Sequence, residues 1–158
     1  MAKVTQHLWF ADDMEAAIRF YVSLIPDSAL RSITPLPAES PAGPAGSVRI
    51  ANFTLGGQNY MAIQAGPLDA FNHSFSIMVT VDTQEEIDRL WAALGDGGSI
   101  EQCGWLKDRW GLSWQIVPSA LGRLMSSGDA ARSKRVAEAM LKMVKFDIAA
   151  LERAAGQA

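Results

Sequence analysis

An α+β fold is predicted for this chain, with two βαβββ units followed by a helical tail, on three observations. Residues 4 to 66 alternate strand, helix and strand patterns. The same order restarts near residue 74: shifted by 70 positions, Asp12 falls on Asp82, Phe20 on Leu90, Tyr21 on Trp91 and Leu24 on Leu94. Beyond residue 118 the pattern becomes helical throughout. With 158 residues, 49% hydrophobic and 20% charged, the chain has globular composition and is long enough for one domain over 1–158. Module one then occupies about 4–66, module two about 73–118, and the tail about 119–155.

In module one, VTQHLWF over 4–10 reads as a strand with Gln6, Leu8 and Phe10 on one face and His7 and Trp9 on the other. Asp12 or Asp13 caps a helix running to Leu24, because Ala17, Phe20, Tyr21 and Leu24 share a stripe and Pro26 blocks continuation. A short strand follows near 29–33. Residues 34–47, TPLPAESPAGPAGS, hold four prolines and two glycines and form an exposed loop. Strands near 48–55 and 59–65 flank Gly56-Gly57, a hairpin turn.

Module two opens with SFSIMVTV at 74–81, followed by a helix from Asp82 to Leu94 that glycines 95, 97 and 98 terminate. Strands near 99–103, 106–109 and 113–117 complete it. The tail carries short helices near 119–126 and 148–155 around a longer one near 130–145, whose apolar stripe is Val136, Met140, Leu141 and Val144.

Charge and cysteine content narrow the classes of partner. A net charge of −3 with scattered Lys and Arg creates no field for a polyanion, so nucleic acid is not an expected partner. The single cysteine, Cys103, cannot form an intrachain disulfide and suits a reducing compartment. MAKVTQHLWF lacks the pattern of a signal peptide and no apolar run approaches membrane-spanning length, so a cytoplasmic location without membrane partners is expected.

The stretch CGWLKDRWGLSWQI, residues 103–116, holds that cysteine and three of the five tryptophans. A nucleophilic cysteine needs a base or cation beside it. His7 and His73 are distant in sequence, so Cys103 is read as structural. Two histidines and one cysteine have no metal-ligand spacing. Trp114 and Gln115 alternate, which puts Gln115 on the face opposite Trp114, and Trp105 and Trp110 bracket the LKDR turn. No glycine-rich nucleotide fingerprint and no Ser-His-Asp set is evident; Gly43 and Gly46 open no helix.

The segments HLWFADDMEAAIRFYVSLIPDS, GGQNYMAIQAGP, FSIMVTVDTQEEIDRLW and CGWLKDRWGLSWQIVP resemble the PhnB-like group of the vicinal oxygen chelate superfamily. Members of that group often carry the inherited label 3-demethylubiquinone-9 3-methyltransferase. The resemblance covers about residues 4–155. It implies paired βαβββ modules forming a cup-shaped mixed β-sheet around a cavity, commonly with dimerisation. The metal-ligand positions of metal-using members correspond here to Gln6, Ala62 (or, slipped by two, Gln64), Ser76 and Gln115. Neutral amides, a hydroxyl and an alanine are poor or absent ligands for a divalent transition metal, so no metal and no cofactor is expected. Nothing resembles a glycine-rich S-adenosylmethionine loop, and methyl transfer is not inferred.

The reading is a metal-free homodimer that binds or sequesters a small organic molecule. Gln6, Ser76 and Gln115 orient the ligand, with Ala62 and Gln64 beside them and Ser113 facing the same cavity; Leu8, Phe10 and Trp105 supply apolar wall. Two alternatives stand beside it: an enzyme using Lys107, Asp108 or Cys103, and an interaction module with a vestigial cavity. Whether a reaction is catalysed is left open.

Overall fold

In the first unit, strand β1 (Gln6–Phe10) leads into helix α1 (Met14–Leu24), and strands β2 (Ala29–Pro35), β3 (Arg49–Leu55) and β4 (Gln58–Gln64) follow. The structure is a computed structural model that describes residues 1–156, so the last two positions of the domain expected over 1–158 lie outside it. The chain divides into two compact units, 1–69 and 70–158, each containing one expected module.

Sheet order in the first unit is β1-β4-β3-β2. β1 runs parallel to β4, and the other pairs are antiparallel hairpin neighbours. Period-two alternation sends Leu8, Phe10, Ala51, Phe53, Tyr60 and Ala62 to one face, all buried. That face receives α1 through Met14, Ala17, Ile18 and Tyr21, each fully buried. Phe53 and Tyr60 stack at 5.3 Å across the β3–β4 pair. Gly56 and Gly57 both take positive φ, 55° and 78°, which a two-residue hairpin turn requires and a side chain opposes. The proline-rich connection is tied at its base: Leu36 N donates to Val48 O and Gly46 N to Leu36 O.

Helix α1 starts after Asp13, one of the two residues expected there. Asp13 adopts a left-handed conformation (φ 58°), and no side-chain cap bond forms from it. A glutamine from β4 takes that role, since Gln64 Oε1 accepts from Met14 N at 3.0 Å.

The second unit repeats the order: β5 (Ser76–Val81), α2 (Gln84–Gly95), β6 (Ser99–Ile100), β7 (Trp105–Lys107) and β8 (Ser113–Pro118). Its sheet runs β5-β8-β7-β6, with β5 parallel to β8. Ile77, Leu106, Trp114 and Ile116 bury one face together with Ile87, Leu90 and Leu94 of α2. Several boundaries differ from expectation: β7 ends at Lys107 rather than near 109, and two more have a clear local cause. The cap of α2 is Thr83 rather than Asp82, because extended Thr83 forms a reciprocal capping box with Glu86; Asp82 instead accepts from Ser119 Oγ at 2.6 Å. β6 ends at Ile100, short of the expected 103, because Cys103 (φ 55°) and Gly104 (φ 80°) turn the backbone out of the extended region.

Helices α3 (Ser119–Met125), α4 (Ala130–Leu141) and α5 (Ile148–Gly156) complete the second unit. α4 is shorter than the expected 130–145. The segment after it lies along the 103–104 turn: Cys103 N donates to Met143 O and Gly104 N to Val144 O. The expected apolar stripe is therefore broken, with Val136 buried but Leu141 and Val144 exposed, and Phe146 enters the core instead. Gln84 at the start of α2 fixes the tail, donating to Phe146 O and accepting from Ile148 N, both at 2.9 Å.

Candidate functional site

Each sheet has one face under its own helix, and on the second sheet the opposite face carries the expected site residues of that unit. On the second sheet that face carries Ser76, Met78 and Thr80 from β5, Trp105 and Lys107 from β7, and Ser113, Gln115 and Val117 from β8. Gln115 lies opposite buried Trp114, as alternation predicts. Strand register arranges these side chains in rows. Ser76, Ser113 and Lys107 stand side by side, and Met78, Gln115 and Trp105 form the next row. Gln115 Nε2 donates to Ser76 Oγ at 2.9 Å, so two of the expected site residues are in direct contact. Ser113 is fully buried and its Oγ has no hydrogen-bond partner among the described residues.

A side chain that sequence reasoning did not assign to the site borders this face. His73 Nε2 lies 2.6 Å from Glu101 Oε2, and its ring tilts against Trp105 with centroids 5.8 Å apart. His73 precedes β5 and Glu101 follows β6; nothing in their spacing announces the pair.

The five expected residues of the first unit have a different setting. Gln6, Leu8, Phe10, Ala62 and Gln64 share the face that carries α1. Leu8, Phe10 and Ala62 are core, Gln64 caps the helix, and Gln6 Nε2 donates to Gln58 Oε1 at 3.3 Å. This corrects the expected apolar wall of Leu8 and Phe10. The continuous apolar row running through Leu8, Phe10, Ala51, Phe53 and Ala62 is what an amphipathic helix needs to cover, and that pattern was the available signal. The helix-free face instead presents His7, Trp9, Met61 and Ile63. A pocket of about 360 Å³ lies there, bounded by Trp9, Ile63, Leu36, Val48 and the proline-rich loop at Pro41 and Ala42. Trp9 Nε1 donates to Gly66 O at 2.9 Å, which holds the indole at the pocket wall.

Beside the start of α1 a second, polar hollow of about 500 Å³ holds Glu15, Arg19, Arg49 and Gln64. Glu15 accepts from Arg49 at 3.0 Å and from Arg19 at 2.9 Å. The Arg49 hydrogen bond first, then that of Arg19, holds its carboxyl below the ordinary value of 4.5.

The tryptophan-rich stretch is a hairpin built on Asp108. This buried carboxylate accepts from Trp110 N (2.9 Å) and Leu112 N (3.1 Å) through Oδ1, and from Trp114 Nε1 (2.9 Å) through Oδ2. Cys103 is partly buried, with its Sγ 3.6 Å from Met140 O as a weak donor. Both residues hold structure where the enzyme alternative asked them for chemistry.

The donor set does not fit a metal. Of the four positions implied by the resemblance, Ala62 offers no ligand atom and is buried under α1. Gln6 is hydrogen-bonded to Gln58, and Ser76 Oγ already accepts from Gln115. Among the described residues no cluster of three His, Cys, Asp or Glu side chains could hold an ion. None of their helices is long and apolar enough to cross a membrane.

Comparisons with known proteins agree with the architecture. The model of the family described as 3-demethylubiquinone-9 3-methyltransferase matches residues 2–117. A putative 3-demethylubiquinone-9 3-methyltransferase, PhnB protein, from Bacillus cereus is 35% identical, with a TM-score of 0.66 over 75% of this chain and 100% of that one. A Pseudomonas aeruginosa protein is 22% identical, with a TM-score of 0.61 over 75% and 98% of the two chains. The fosfomycin resistance protein FosX from Mesorhizobium loti, at 15% identity and a TM-score of 0.52 over 73% and 90%, shares the fold. No match is found among curated proteins.

Proposed function

The chain belongs to the 3-demethylubiquinone-9 3-methyltransferase family, the PhnB-like branch of the vicinal oxygen chelate fold, and on that premise we propose that it binds a small organic molecule without using a metal. The observation that carries this reading is the Gln115–Ser76 pair next to Trp105 on the helix-free face of the second sheet. An amide both donates and accepts, and here its Nε2 is engaged by Ser76 while its Oε1 accepts from no group among the described residues. Beside it Trp105 offers a flat apolar surface. A few fixed polar groups next to an aromatic wall are the usual makings of a ligand site. The protein acts as a cytoplasmic homodimer in this reading. Open strand edges at β2 and β6 and the exposed Leu141 and Val144 support a covering partner copy.

Native mass spectrometry of the purified protein, followed by titration of a small-molecule fragment library, tests the reading. Saturable binding is expected, with Gln115→Leu weakening it by about 1–3 kcal/mol while the fold is kept. Gln115→Leu that lowers the melting temperature and leaves affinity on the folded fraction unchanged removes Gln115 from the site. A library that yields no saturable ligand defeats the binding function.

A further inference from the structure

We infer that the bound molecule carries an oxyanion, a carboxylate or phosphonate on an apolar body, seated on the row Ser76–Ser113–Lys107 of the second sheet. This deepens the proposed function and rests on it. Two observations point to an anion. Ser113 is fully buried, yet its hydroxyl has no partner among the described residues. A buried hydroxyl left unpaired is unfavourable, and an incoming acceptor relieves that. In register beside it on β7 stands Lys107, a cation whose ammonium forms no ion pair among the described residues. On the other side, in register on β5, is Ser76. Its oxygen accepts from Gln115, so its own proton remains available to donate.

The row thus offers hydroxyl donors on two strands and an ammonium on the third, with no carboxylate in it. Such a set suits a tetrahedral or planar oxyanion and disfavours a cation. Its rim is open, because Ser76 and Lys107 are partly exposed while Ser113 forms the closed centre. The neighbouring row runs Met78, Gln115 and Trp105, with Glu101 beyond Trp105 held by His73, so the body of the ligand lies over Trp105 with its charged end away from Glu101 and toward Lys107. The other cationic site, Arg19 and Arg49, is already neutralised in part by Glu15.

Calorimetric titration with three probes decides the matter: benzoate and phenylphosphonate as anions, and benzamide as the neutral analogue of the first. Both anions are expected to bind at least about tenfold more tightly than benzamide in low salt, the preference shrinking as salt is added. Lys107→Met and Ser113→Ala should each remove most of that preference. Lys107 is partly exposed, so its variant keeps the test valid where Ser113→Ala fails to fold. Equal binding of anion and amide overturns the oxyanion inference while leaving a small-molecule site in place. An anion preference that survives Lys107→Met, or that Arg49→Met abolishes, places the anion elsewhere and overturns it too. Absence of binding by all three probes overturns it as well, and the wider reading then stands or falls with the fragment library.

Discussion

Asp108 illustrates what a residue's neighbours add to its identity. In sequence it is a carboxylate in the turn LKDR, as suited to acid–base chemistry as to structure. In the fold it is 3% exposed and takes the amides of Trp110 and Leu112 and the indole of Trp114. Nothing in the local sequence shows where those donors point, so the role was not legible. Asp108→Ala leaves buried donors without an acceptor and should destabilise the protein by about 3 kcal/mol, read from urea unfolding. Cys103 is the opposite case, since the lack of a nearby base was visible in sequence. Cys103→Ser keeps a donor toward Met140 O, and ligand affinity is expected to be unchanged in titrations of the folded variant. Glu15 gives a dependence on pH. Its folded pKa lies below the ordinary 4.5, so its contribution is complete above that value and disappears as pH falls through the depressed one. Arg49→Met should therefore make the acid limb of a melting-temperature profile shallower below about pH 4.5.

At the level of elements, most boundaries were legible because hydrophobic period and turn residues determine them locally. The misplaced ones have different causes: the cap of α2 is set locally by the Thr83–Glu86 capping box, while two others meet at the 103–104 turn. α4 stops at Leu141 because the next residues pair with the 103–104 turn, and β6 stops early because that turn is left-handed. Gly104 shows how tight the fit is. A Cβ there would overlap the Phe146 ring and lie 2.8 Å from Ile116 O, at a φ of 80° that side chains resist. Gly104→Ala should therefore destabilise by about 3 kcal/mol or more and detach the tail, seen as faster amide exchange in α5. Gln84 does the same work by hydrogen bonds. Gln84→Leu removes both tail contacts, to Phe146 O and Ile148 N, and should raise exchange in α5 while leaving β5 protected.

For the molecule as a whole, the offset of 70 positions in the sequence foretold the duplicated unit. Which face of the first sheet α1 would cover was not foretold. Alternation within β1 alone separates Leu8 and Phe10 from His7 and Trp9 without saying which set meets the helix; only the apolar row they form with Ala51, Phe53 and Ala62 carries that signal, and Met14, Ala17, Ile18 and Tyr21 pack on it. The proposed homodimer should appear in light scattering at twice 17.1 kDa at micromolar concentration, and a monomer alone would exclude it. The parallel pairing of β1 with β4 also has a consequence for the order in which the protein is made. Gln6 waits for Gln58, 52 positions later, which at roughly 5–20 residues per second is on the order of 3–10 s of synthesis. Throughout that interval β1 has no partner. In the second unit Ser76 waits 39 positions for Gln115. The newborn chain is therefore most open to chaperones and to wrong strand pairing just before each unit's last strand appears.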